Sequence, residues 1–563
     1  MRDVRRAWKS AAFLYLRWLE SLRHGPQLRR IESAVSAREA RSGRVIQPVV
    51  FFNASTRTWG LSLNAAFSLL TSWGLRLGGI PVVHFVCMSG MDQCVLGTVP
   101  ARLRRPPPCV LCTRLSRQMF PASLVHPLRR GELPRSSARL IADAEGLDAL
   151  RDLRVEGLPL GELCLPSLRW ALRRHRLQET PELVGVYKQY LTSAVRVLRS
   201  FDELLDRVQP RAVVVFNGVS FPEAVVRALA QKRGIPVITH EVGVRPLSGF
   251  FTRGQASAYP IEMEAGFELT SDEDARLEEY LQDRFRGRFT MAGVQFWPEM
   301  QSLPAELLER MKTCREVVAV FTNVIFDTSQ VHANTVFRDM FDWLIQIAGF
   351  ARGHPDTLFV IRAHPDELRP GKESLETVEE VLRQAGALDL PNVVFVPPRD
   401  FLSSYELIRH SKITMVYNSS IGLEATLLGK AVLCGGKARY TQYPTVYFPP
   451  TPGQYFKTAD ELLAKESPSA PKEFMAWARR FMYCQHFLTS LDFSRFLTPH
   501  HRFPGYVSLR ESDPLDLHPD RCLEMAILRE GIANGAGMVY PRSRPLIGAT
   551  AEAATPHSTG ANP

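Results

Sequence analysis

Polar residues with ligand chemistry close several apolar runs of the chain. Thr322-Asn323 ends EVVAVF, Arg362-Ala363-His364-Pro365 ends TLFVI, and Asn418-Ser419-Ser420 ends ITMVY, while Arg399 follows NVVFVPP. Nearly all are hydrogen-bond donors, which suits an anion, most simply a phosphate or diphosphate. The stretch VYNSSIGLEATLLGKAVLCGG, from Val416 to Gly436, is the most informative. A helix opening near Ser420 presents unpaired backbone N–H groups and the positive end of its dipole. Hydroxyls of Ser419 and Ser420 add donors, so a phosphate can dock there. Glu424, one turn in, is placed to accept from the hydroxyls of a ribose. The alternative is a serine that only caps the helix and a Glu424 that complements its dipole. The company of Arg362 and His364 favours a ligand. His-Pro-Asp occurs twice. His354 precedes a predicted strand and reads as a turn residue, whereas His364 follows one and Pro365 fixes its direction.

The elements that must carry these residues follow from hydrophobic periodicity. RVIQPVVFFNA and GGIPVVHFVC read as strands around a helix from Gly60 to Leu75, which makes a βαβ unit. Leu158 to Val208 is mostly helical. RAVVVFNG, FPEAVVRALAQKRG and IPVITHEVG form a second strand–helix–strand unit whose strands end at Asn217-Gly218 and His240-Glu241. From EVVAVF onward strands and helices alternate again. Two doubly wound α/β domains are therefore expected, with ligands beyond the carboxyl ends of their strands. The expected boundaries are a basic amphipathic segment at 1–43, a first Rossmann-like domain at 44–260, a linker at 261–314, a second Rossmann-like domain at 315–490, an extension at 491–540 and a disordered tail at 541–563.

Length and composition agree with this division. The chain has 563 residues, 45% apolar and 23% charged, as in globular proteins rather than disordered ones. Its net charge of +11 is uneven: residues 1–44 hold eleven Lys/Arg against four Asp/Glu, and residues 101–139 hold nine Arg against Glu132. No zinc-finger, RRM or helix-turn-helix pattern turns this charge into a nucleic-acid signal. Trp8, Ala11, Ala12, Tyr15, Leu19 and Leu22 recur at helical spacing among basic residues, which fits either an anionic membrane surface or packing on the body. With no secretory signal pattern and no apolar run of bilayer length, the expected location is cytoplasmic, possibly peripheral on the inner face of the membrane. Nine cysteines fit a reducing compartment. Among them Cys87, Cys94, Cys109 and Cys112 lie close in sequence, and a structural zinc competes with a Pro-constrained loop as their explanation.

The motifs FTNVIFD, IRAHPDE, SSYELI and VYNSSIGLEATLLGKAV, with VVVFNG and ITHEVG in the first half, resemble the capsule polysaccharide biosynthesis family, which includes Kdo transferases. That resemblance implies two Rossmann-like domains facing a cleft (the GT-B fold) and a nucleotide-sugar donor, a CMP-sugar among the options. The nucleotide would lie in the second domain, on Arg362, His364, Asn418, Ser419, Ser420 and Glu424, with Thr322 and Asn323 nearby. The first domain would carry the polysaccharide or glycolipid acceptor and the catalytic group. Glu241 is the first candidate for base or nucleophile and His240 the second; the alternative makes Glu241 a loop carboxylate paired with Arg245. Asn53, Ser55 and Arg57 are candidate acceptor contacts. No Asp-X-Asp signature supports a metal-bound diphosphate, so no cofactor is expected, and the helix dipole and Arg362 would stabilise the leaving group. Rival readings are a nucleotide-sugar epimerase, a CDP-glycerol glycerophosphotransferase, and a non-catalytic binding scaffold of an export complex.

Overall fold

The computed structural model describes residues 25–39, 47–54, 60–264, 266–286, 300–500, 503 and 505–533. Two parallel sheets organise the chain. The first domain begins with a helix over residues 25–39 (α1), then β1 (Val49–Phe52), α2 (Leu63–Leu77), β2 (Val82–Cys87), α3 (Cys109–Met119) and β3 (Val125–Leu128). Helices α4 (Arg135–Asp143), α5 (Gly146–Arg151), α6 (Leu160–Leu172) and α7 (Pro181–Val208) precede β4 (Ala212–Phe216), α8 (Glu223–Lys232), β5 (Val237–Val242) and β6 (Ser248–Thr252). Helices α9 (Ser271–Phe285) and α10 (Ala305–Thr313) lead into β7 (Glu316–Phe321), α11 (Met340–Arg352), β8 (Thr357–Arg362), α12 (Val378–Gln384) and β9 (Val393–Val396). Then come α13 (Ser404–His410), β10 (Ile413–Val416), α14 (Ile421–Leu427), β11 (Ala431–Cys434), α15 (Pro452–Ala464) and α16 (Lys472–Tyr483). The chain closes with β12 (Leu491–Asp492), β13 (Leu497–Pro499), β14 (Val507–Leu509) and α17 (Leu523–Ala533).

The first sheet runs β12-β6-β5-β4-β1-β2-β3, with β6 alone reversed and so antiparallel to both β5 and β12, and the second runs β11-β10-β7-β8-β9, parallel throughout. Helices cover both faces, so the strands are continuous apolar runs. In β1, Val49 and Phe51 enter the core on one face, and Val50 and Phe52 enter the core on the other. In β7, Val317, Ala319 and Phe321 face one core and Val318 and Val320 the opposite one. Strand order reverses between β1 and β4 in the first sheet and between β7 and β10 in the second. Crevices open at such points, beyond the carboxyl ends.

Several expected segments behave differently. The segment 261–314, read as a linker, contributes Leu277, Leu281, Leu303, Leu307 and Met311 to the second domain's core. Residues after 490, read as an extension, return to the first domain. There β12 adds antiparallel to β6 and α17 lies on α2. That contact is close: a Cβ on Gly74 would stand 2.5 Å from Met525 Sδ, so any other residue would force the methionine to shift. At the other end, Leu28, Ile31 and Val35 of α1 are buried in the first core. Arg76 of α2, itself buried, pairs with Glu32 and Glu39 of that helix at 2.7 and 2.8 Å. The stripe from Trp8 to Leu22 and the tail 541–563 lie outside the described residues. No described helix is long and apolar enough to cross a membrane.

Candidate functional site

A cleft of about 250 Å³ lies between the domains at the second sheet's switch point. Loops after β7, β8, β10 and β11 supply Asn323, Asp327, His332, His364, Asp366, Asn418, Ser419, Ser420, Lys437 and Arg439. The first domain contributes Val244, Ser257 and Ala258, and α9 contributes Arg284. The far wall is Gln485 and His486, on a single π-helical turn (Cys484–Leu488) where α16 hands the chain back to the first domain. Such turns are frequent at functional sites.

The break at Asn418-Ser419-Ser420 is held open by its neighbours. Asn418 Oδ1 accepts from Gln330 Nε2 at 2.9 Å, and its backbone N–H donates to Asn323 Oδ1 at 3.3 Å across the switch. Tyr440 donates to the Ser419 carbonyl at 2.6 Å. Close approach of that ring requires Gly422, where a Cβ would meet the Tyr440 oxygen at 2.3 Å. Ser420 is the exposed N-cap of α14, and its side chain makes no cap hydrogen bond.

Glu424 is buried beneath the break. One carboxylate oxygen pairs with Arg284 at 2.7 Å, and the other accepts from Tyr405 at 2.5 Å. Arg284 also donates to Tyr280 at 2.7 Å. The Tyr405 phenol is pushed far up, first by burial and then by the Glu424 charge. The expectation that Glu424 faces a ligand alone is therefore corrected: it is ion-paired to the preceding helical segment and also lines the cleft.

His364 lies in the cleft with Nδ1 accepting from the Asp366 backbone N–H at 3.1 Å. Thr322 is buried behind it, accepting from the His364 N–H at 3.2 Å, and supports the histidine without lining the cleft. Arg362 is corrected as a ligand candidate. Its guanidinium turns away to donate to Ser404 Oγ at 2.6 Å and the Leu402 carbonyl at 2.9 Å, and burial lowers its pKa to about 10. Arg399 is exposed and outside the cleft lining. His354 lies at the opposite edge, bonded to Asp460 at 2.9 Å.

In the first domain, Glu241 is partly buried at the end of β5 and is not itself among the residues lining the cleft; the charge of cleft-lining Asp327 bears on it. It accepts from Asn217 Nδ2 at 2.9 Å, Asn64 Nδ2 at 3.1 Å and the Val242 N–H at 2.9 Å. Asn217 reaches it from the β4 end in the left-handed region (φ +62°), which asparagine tolerates better than most residues. Burial raises the Glu241 pKa against these donors, and the Asp327 charge across the gap adds to the rise. The alternative pairing with Arg245 is not what the carboxylate makes. His240 is corrected: it is buried, with its ring 5.3 Å from Phe251 and 5.9 Å from Phe216, away from the cleft. Asn53 is bonded within the first domain to Ser68 and His84, and Ser55 and Arg57 lie outside the described residues.

Cys87, Cys94, Cys109 and Cys112 do gather around one small pocket. No group of three or more His, Cys, Asp or Glu among the described residues is arranged to hold a metal ion. Burial pushes the Cys94 thiol up to about 12. Asp272 and Asp274 stand in the first turn of α9 outside the cleft lining, Asp274 being paired with Arg479 at 2.8 Å.

Burial lowers the pKa of three cleft histidines: His364, His332 (to about 4) and His486, the last far below the ordinary value. Unfolded histidine binds its proton near pH 6.5, and these folded ones refuse it until lower pH. Stability carried by their neutrality is thus intact above about pH 6.5 and lost as pH falls toward 4. Urea melts at pH 7.5 and 5 are expected to show a lower midpoint at pH 5. His332→Asn and His486→Asn together should flatten the difference.

The family described as Capsule polysaccharide biosynthesis protein matches residues 299–443. Over this segment, about a quarter of its length, the chain is similar to the capsule polysaccharide biosynthesis family. The family segment runs from before β7 to just past Tyr440, so it holds the cleft loops of the second domain and excludes Arg284 and Glu241. No curated protein sequence matches the chain. Among solved structures it is similar to the Thermosulfurimonas dismutans KpsC beta Kdo 2,7 transferase, at 14% identity over 57% of this chain and 88% of that one, TM-score 0.32. The beta Kdo 2,4 transferase of the same KpsC aligns at 15% identity over 48% and 79%, TM-score 0.33. A putative UDP-N-acetylglucosamine 2-epimerase from Listeria monocytogenes aligns at 12% identity over 78% and 96%, TM-score 0.25.

Sequence reasoning missed Arg284, Asp327, His332, Lys437, Arg439 and His486 as cleft residues. Asp327 closes the FTNVIFD motif, and Lys437 follows the strand that ends the opening stretch, so the strand-end rule applied to β11 leads to it. Arg284 and His486 carry no local signal, because packing of α9 and α16 brings them in.

Proposed function

We propose that the protein is a glycosyltransferase that moves a sugar from a nucleotide-sugar donor to a capsule-like polysaccharide or glycolipid acceptor. What supports this most directly is the cleft inside the family segment, where Asn323, His364, Ser419, Ser420 and Lys437 converge on one space. On this reading the donor phosphates take the Ser419 and Ser420 hydroxyls, the N–H groups opening α14 and the Lys437 ammonium. Glu424, held by Arg284 and Tyr405, meets the ribose with its remaining lone pairs. Glu241, with its basicity raised by burial, takes the acceptor hydroxyl proton as the new C–O bond forms and the sugar–phosphate bond breaks. Lys437 and the hydroxyls receive the charge of the departing phosphate. This assignment asks for no metal or cofactor. We further propose a cytoplasmic location, where nucleotide sugars are made; the absence of disulfides among nine cysteines is compatible with it.

The first experiment is a thermal-shift screen of CMP, CDP, UDP and GDP, since a ligand of the native state raises the melting temperature. One nucleotide is expected to stand out. For that nucleotide, His364→Ala should weaken calorimetric affinity about tenfold to a hundredfold with the fold intact, the cost of a hydrogen bond to a charged group. Unchanged affinity would move the nucleotide off this cleft. Products formed from the donor alone would favour epimerisation over transfer.

A further inference from the structure

The arginine-rich segment of the first domain takes no part in the cleft. All nine arginines between residues 101 and 139 are exposed: Arg102, Arg104, Arg105, Arg114, Arg117, Arg129, Arg130, Arg135 and Arg139. Arg130 pairs with Asp92 and Arg139 with Asp143; the other seven make no ion pair with any described residue. Glu132 is the only acidic residue in the stretch. A cluster of like charges so little compensated within the chain raises the local positive potential and attracts anions.

Parts of the segment lie along α7. Gln93 donates to the carbonyls of Leu103 and Arg105, and the next-door Asp92 N–H donates to Ser193 of α7. Arg196 of α7 holds the Gly131 carbonyl, and Lys188 of α7 holds the Ala142 carbonyl of α4. Pro107, just before α3, lies against Gly97.

The apolar side chains decide the kind of anion. Val110 on α3 is 83% exposed and Leu140 on α4 is 52% exposed, the two most exposed large apolar residues of the described chain. A soluble polyanion offers them no apolar phase. The boundary between headgroups and acyl chains receives both, with arginines among the phosphates. We propose that residues 101–140 dock the protein on an anionic lipid surface. This surface is separate from the N-terminal segment and independent of the proposed transfer activity. It would hold α3, and with it the pocket beyond Ala54 and Cys87 at the ends of β1 and β2, next to the headgroups.

The test is co-sedimentation of the full chain with phosphatidylcholine vesicles, with and without phosphatidylglycerol, alongside binding to soluble polyphosphate. Wild-type protein is expected to bind only the anionic vesicles. R104E/R105E/R135E should weaken that binding at least about a hundredfold, as each basic residue at such a surface contributes about a factor of five. V110S/L140S, which removes the apolar groups without adding charge, should weaken vesicle binding at least about tenfold and leave polyphosphate binding unchanged. Every substituted side chain is exposed, so melting temperatures should match wild type and report any misfolding. Vesicle binding unchanged in both variants would overturn the proposal. Vesicle affinity lost in the arginine variant but kept in V110S/L140S would replace the lipid with a soluble polyanion.

Discussion

Glu241→Gln is expected to lower turnover by about a hundredfold to ten-thousandfold while leaving nucleotide affinity nearly unchanged. The range is that of losing a positioned general base. The carboxylate stands on the first domain, while the proposed nucleotide site is on the second, so a deficit confined to kcat separates chemistry from binding. The substitution is not silent in hydrogen bonding. Asn64, Asn217 and Val242 all donate to the carboxylate, and a glutamine amide sets one N–H group against a donor. Asn217 cannot simply flip, because its Oδ1 already accepts from the Val219 N–H at 3.1 Å. A modest loss of stability is therefore expected alongside the kinetic effect, and circular dichroism melting measures it separately. Asp327→Asn is the control, since Asp327 is the other carboxylate close enough to bear on Glu241 electrostatically. A defect under tenfold in Glu241→Gln with a large one in Asp327→Asn would transfer the base to the second domain. His240 is no longer an alternative, being packed between Phe216 and Phe251.

The doubly wound domains were legible because parallel strands covered on both faces must be unbroken apolar runs, and runs such as EVVAVF and TLFVI are conspicuous. The polar residues closing them were legible for the same reason, since a strand cannot bury them. Which way each one points was not. Arg362 and His364 are two residues apart on one strand end, yet the arginine turns to Ser404 and the histidine enters the cleft. Burial of the guanidinium against the α13 side is a packing outcome that spacing does not encode. His240 failed for a related reason: alternation along β5 gives Glu241 and His240 opposite faces, and the histidine's face packs on Phe216 and Phe251. The return of residues 491–533 to the first domain was hidden because β12, β13 and β14 are two or three residues long, too short for any periodicity to register. Helix α9 was hidden by its polarity, with only Leu277 and Leu281 of its residues buried.

That polar helix supplies the interaction with the largest expected effect on stability. Arg284→Met should destabilise the protein by about 3–5 kcal/mol, the cost of leaving a buried charge without its partner. Glu424 is 2% exposed, and with Arg284 gone its carboxylate keeps only the Tyr405 hydroxyl. Glu424→Gln should cost less, because the guanidinium loses its counter-charge but keeps its bond to Tyr280. The double variant R284M/E424Q leaves no charge unpaired and keeps a partner for Tyr405, so most of the lost stability should return. A coupling near zero in urea denaturation would mean that water, not Glu424, neutralises Arg284 in solution. Nucleotide affinity follows a different logic in the same four proteins. If Glu424 accepts from the ribose hydroxyls, the stable double variant remains at least about tenfold weaker than wild type for nucleotide, since the amide in place of the carboxylate forfeits a charge-assisted bond. If Glu424 only anchors α9 under the cleft, affinity recovers together with stability. The ion pair and the ligand contact are thus separable in one mutant cycle, with stability reading the first and calorimetry the second.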